Sequence, residues 1–119
     1  MSELREHGGR RFAVQFHYSL PTNAWCVELS EAVPAPESWA DRPDSPAYLP
    51  GRSFITAEVP DEDPKAEPTI HVRSPEGYAV PYEVMLWFME KVAEEVERCR
   101  AAMSAMDLEA ATRPDGSLP

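Results

Sequence analysis

The longest helical pattern in the chain lies between Pro81 and Met106. Met85, Met89, Val92, Val96, Cys99, Met103 and Met106 follow one another at alternating steps of four and three, which is the spacing of one helix face. The first turns are apolar nearly all round (Val84 to Met89), whereas charge fills every other face from Glu90 onward. This predicts a helix that starts buried and becomes amphipathic. Pro81 suits its first position, where a missing N–H costs nothing, and Glu83 suits the positive end of the helix dipole.

The patterns before it have a period of two. Phe12, Val14, Phe16, Tyr18 and Leu20 alternate with Ala13, Gln15, His17 and Ser19, and after Pro21-Thr22-Asn23 the alternation resumes with Trp25, Val27 and Leu29 against Cys26 and Glu28. Two such runs around a short break predict an antiparallel hairpin. Arg52 to Val59 reads as a third strand whose inward face is ambiguous. Thr69 to Arg73 reads as a short fourth strand with Ile70 and Val72 turned inward, and Ser74-Pro75-Glu76-Gly77 has type I turn chemistry. The expectation is an α+β fold: a small antiparallel sheet of about four strands in ββββα order, packed against one long C-terminal helix.

Domain organisation follows from where the patterns stop. Residues 1–10 are polar, aperiodic and carry Gly8-Gly9, and read as a mobile leader. A single domain is expected over 11–107, with a long acidic, proline-rich loop at 31–51 and a frayed tail at 108–119. With 119 residues there is room for one ordinary domain. Eight of the thirteen prolines crowd into 34–50 and 60–68, so the ordered core should be smaller than the chain. Trp39 and Tyr48 are bulky for a mere linker. They are expected either to pin the loop onto the sheet edge or the helix, or to meet a partner.

Charge narrows the partners. Eleven basic against 21 acidic side chains give a formal charge of −10, which repels phosphate backbones and anionic lipid. No stretch reaches the roughly 20 apolar residues that span a bilayer, and the N-terminus lacks a signal-peptide pattern, so a cytoplasmic protein is expected. Nine arginines against two lysines suggest a GC-rich genome, of the kind actinobacteria and their phages carry.

Candidate chemistry is sparse. His17 and Cys26 face outward on paired strands and His71 faces outward on the fourth, a set that could hold zinc or act as a thiol pair only if the sheet gathered all three. None of these residues has close ligand spacing. Asp61-Glu62-Asp63 lacks the spaced oxygens and central glycine of a calcium loop. The helix acids are expected to form Glu94–Arg98 and Glu97–Arg100 pairs on a solvated face. No enzyme activity and no cofactor is expected.

A helix of this length spans roughly 35 to 40 Å, against about 20 Å for four strands side by side. The half from Ala93 to Met106 should therefore overhang and expose a narrow apolar seam. The sequence reading is a protein–protein interaction module, binding a protein or a second copy of itself through Met89, Val96, Cys99, Met103 and Met106, with Trp39 and Tyr48 as accessory residues. The alternative is an acidic protein that mimics a phosphate backbone and blocks a nucleic-acid-binding partner.

Overall fold

The computed structural model describes residues 2–73 and 78–111. The expected turn at 74–77 and residues 112–119 of the expected 108–119 tail lie outside the described residues, whereas residues 108–111 of that tail are helical. Five strands form one antiparallel sheet in chain order: β1 (Ser2–His7), β2 (Arg10–Ser19), β3 (Ala24–Pro34), β4 (Tyr48–Pro60) and β5 (Thr69–Val72). One helix, α1 (Tyr82–Ala111), covers one face. The α+β architecture is as expected, with one strand more than the sequence suggested.

The extra strand comes from the segment read as a leader. His7 pairs with Arg10 across Gly8 and Gly9, whose φ angles of 58° and 79° are the left-handed values a two-residue hairpin turn requires. The proline-rich connection is also shorter than 31–51. β3 continues to Pro34 and β4 begins at Tyr48, leaving residues 35–47 as the loop, with one 3-10 turn at Glu37–Trp39.

Register sets the faces. Phe12, Val14 and Phe16 pair with Glu31, Leu29 and Val27, and Leu29 and Val27 pair in turn with Ile55 and Ala57, so these side chains share the helix-facing side. A bulge near Leu29 and Ser30 adds Phe54 to the same core, which resolves the ambiguous third strand. Further along, Gly51 passes so close to β3 that a Cβ there would sit 2.5 Å from the Glu31 carbonyl oxygen. Only glycine fits that bulged crossing.

Val84, Phe88, Val92 and Trp87 close the core from the helix side. Burial continues along α1 through Glu95, Cys99 and Met103 and then stops. The overhang therefore begins beyond Met103 rather than at Ala93, because the sheet end carrying Trp25 still runs beneath Arg98, whose guanidinium lies 4.7 Å from the indole centroid.

Candidate functional site

The two flanks of α1 differ in how their charge is satisfied. On the β1 flank, Lys91 reaches Glu3 at 3.0 Å and Glu94 at 3.7 Å, Arg98 pairs with Glu95, and Arg5 lies over Trp87 at 5.9 Å. A bay of about 560 Å³ floored by Phe16 and Trp25 opens there, but its rim charges already answer one another. The expected Glu94–Arg98 and Glu97–Arg100 pairs are not among the ion pairs of the described residues. Arg98 is drawn instead to buried Glu95, whose charge needs a partner most, while Glu94 turns to Lys91.

The β5 flank is apolar and open. Ile70 and Val72 take the helix-facing positions opposite Ala57 and Ile55, as expected, yet α1 does not reach over them and Val72 is 65% exposed. On that flank of the helix run Tyr82, Leu86, Met89, Ala93 and Val96, at steps of four and three, so they form a single stripe, of which Met89, Ala93 and Val96 lie across from Ile70. Tyr82 is 74% exposed and Leu86 and Met89 are each 42% exposed. Between strand and helix lies a groove of about 420 Å³, lined by Pro68, Ile70, Met89, Val92, Ala93 and Val96, with Glu97 and Arg100 at its lip. Among the described residues β5 pairs only with β4, so its other edge offers backbone donors and acceptors without a strand partner alongside the groove.

The residues singled out from sequence divide accordingly. Met89 and Val96 line this groove. Cys99 and Met103 are buried within the single chain, and Met106 is exposed beyond the covered part of the helix. Trp39 and Tyr48 lie far from it in the fold: Trp39 packs in its own loop under Arg42 at 5.4 Å, and Tyr48 sits under Arg11 at 4.4 Å on the sheet face opposite α1. The stripe members Tyr82, Leu86 and Ala93, with Ile70 and Val72, were not read from sequence as a surface. A step pattern of four and three from Tyr82 was visible, but it ran beside a stronger one.

On the outward face of the sheet, His17, Cys26 and His71 are not gathered into one cluster. His17 and Cys26 are paired neighbours, as the hairpin predicted, but His71 stands opposite Thr56 on the far strands, and the histidines turn to Glu28 at 3.6 Å and Glu58 at 3.8 Å. Among the described residues there is no group of three or more His, Cys, Asp or Glu placed to hold a metal ion. Both cysteines are free, and burial raises both thiols, with nearby carboxylates adding to the effect. That favours the protonated, unreactive form.

A polar clasp holds the chain leading into α1. The Glu31 carboxylate accepts from Arg10 Nε at 2.9 Å and from the Tyr78 hydroxyl at 2.7 Å, and the Tyr78 ring packs on Phe54 with centroids 4.8 Å apart and planes tilted by 45°. The clasp fixes where the helix starts and so where the stripe lies. No helix among the described residues is long and apolar enough to cross a membrane. No family model matches the chain, and neither a curated protein nor a solved structure shows significant similarity to it.

Proposed function

We propose that this chain is a cytoplasmic protein-interaction module whose working surface is the apolar groove between α1 and β5. The observation that carries the reading is an apolar strip on α1, exposed at Tyr82, Leu86, Met89 and Ala93 and half-buried at Val96, on the flank of Ile70 and Val72, along a sheet edge with no strand partner among the described residues. Isolated exposed apolar side chains are ordinary, whereas a contiguous strip rimmed by charge is the anatomy of a binding surface. Met89 adds an adaptable side chain at the centre of the strip. Two reduced, buried thiols are in keeping with a cytoplasmic setting. The formal charge of −10 favours a protein partner over nucleic acid.

The test is a photo-cross-linking amino acid placed at Leu86 in cells producing the protein, with Gln15 on the opposite sheet face as control. A discrete higher-mass adduct from position 86 but not from position 15 is expected. Free protein alone at both positions, or the same adducts from both, overturns the reading.

A further inference from the structure

The occupant of the groove can be narrowed from the charges beside it, an inference that rests on the groove being an interaction surface. The glutamates of α1 from Glu83 to Glu97 fall into two groups. Glu94 and Glu95 on the β1 flank are paired with Lys91 and Arg98. Glu83, Glu90 and Glu97 are exposed, and none is in an ion pair among the described residues. They recur every seven residues, about two helical turns, so they form one row. Each follows directly on a member of the stripe: Tyr82, Met89 and Val96.

Written as heptads, Leu86, Ala93 and Arg100 occupy the a positions, Tyr82, Met89 and Val96 the d positions, and the three glutamates the e positions. In an antiparallel pair of two copies, e faces e, so the two rows would bring six carboxylates together. Arg100, one step of four beyond Val96, lies past the end of the stripe. In a parallel pair, e faces the g positions, here Met85, Val92 and Cys99, of which Val92 and Cys99 are already buried against the sheet. Self-pairing along this stripe thus meets like charge in one orientation and a covered flank in the other. The formal charge of −10 on each copy adds to the repulsion.

The complementary occupant has the opposite flank charge. We infer that the groove receives a basic amphipathic helix from a different protein, its apolar side on Leu86, Met89, Ala93 and Val96 and its lysines or arginines along Glu83, Glu90 and Glu97. Apolar anchors supply the affinity and the glutamate row selects the partner and its register.

The probe is a fluorescent 21-residue helical peptide with leucine at a and d and lysine at e and g, a pattern that also discourages the peptide from pairing with itself. Binding is followed by anisotropy. Saturable binding is expected, with none for the same peptide carrying glutamate at e and g. Leu86→Glu with Met89→Glu should abolish it. Glu83→Gln, Glu90→Gln and Glu97→Gln together should weaken it at least tenfold. Glu37→Gln, Asp41→Asn and Asp44→Asn, which remove the same charge from the 35–47 loop, should change it less than twofold. Equal weakening by the two triple variants means general attraction to an acidic protein and overturns the inference, as does failure to saturate. Light scattering on the native chain should give a monomer. A dimer that Leu86→Glu converts to a folded monomer would make the occupant a second copy, overturning this inference while leaving the interaction surface in place.

Discussion

The Tyr78 hydroxyl donates to the Glu31 carboxylate at 2.7 Å across 47 positions of sequence, and Arg10 donates to the same oxygen from a third element. The bond from Arg10 first, then that from Tyr78, holds the Glu31 carboxyl below the usual carboxylate range. Burial, with the bond to Glu31 next, pushes the Tyr78 hydroxyl up to about 12.

Stability should therefore fall at both ends of the pH scale. Below about pH 4.3 the unfolded chain takes up a proton at residue 31 more readily than the folded one, so folding weakens as pH drops. Above about pH 10 the unfolded chain releases the tyrosine proton first, so folding weakens as pH rises toward 12. Tyr78→Phe should cost about 1 kcal/mol at neutral pH, kept modest because the Glu31 side chain is part exposed, and should flatten the alkaline limb. Urea midpoints measured from pH 3 to 11 check this, and an unchanged alkaline limb would rule out Tyr78 as its source.

β1 shows where sequence and structure part. Its alternation was invisible because the helix-facing positions are charged: Glu3 reaches Lys91 and Arg5 lies over Trp87, while Leu4 faces outward. Inward-pointing charge is a device of edge strands, which hides the strand from any search for apolar alternation. The one signal present was Gly8-Gly9, a hairpin dipeptide. Gly9→Ala should cost about 1 to 2 kcal/mol at its left-handed φ of 79°. Hydrogen exchange should speed up in residues 2–7 well before the rest of the sheet, and uniform exchange would show that β1 does not depend on that turn.

The helix was legible in extent, but the apolar seam was read slightly out of phase. Lys91 and Glu95 sit on the covered side and interrupt its apolar pattern, so periodicity selected a stripe displaced toward the β5 flank. The true buried row is Val84, Phe88, Val92, Glu95, Cys99 and Met103. The assignment of Met103 to core and Met106 to surface can be tested by truncation. Met103→Ala should destabilise by roughly 2 to 4 kcal/mol through lost burial and a cavity. Met106→Ala should stay within about 0.5 kcal/mol. Equal effects in chemical denaturation would mean that the helix is not held down as far as Met103.

Two arginines two residues apart separate structural charge from surface charge. Arg98 pairs with Glu95 and covers Trp25, whereas Arg100 stands at the lip of the groove in no ion pair among the described residues. Removing Arg98 leaves a carboxylate on a buried residue without its main partner. Arg98→Ala should therefore cost roughly 1 to 3 kcal/mol, below the value for a fully buried pair because the arginine itself is half exposed. Arg100→Ala should be close to neutral. Adding Glu95→Gln to Arg98→Ala should recover part of the loss, since the amide needs no counter-charge. Thermal denaturation of the four chains checks all three expectations. If Arg98→Ala and Arg100→Ala melt together, the Glu95 pair contributes nothing to stability, and the bay on the β1 flank would be as free to change as the groove on the other.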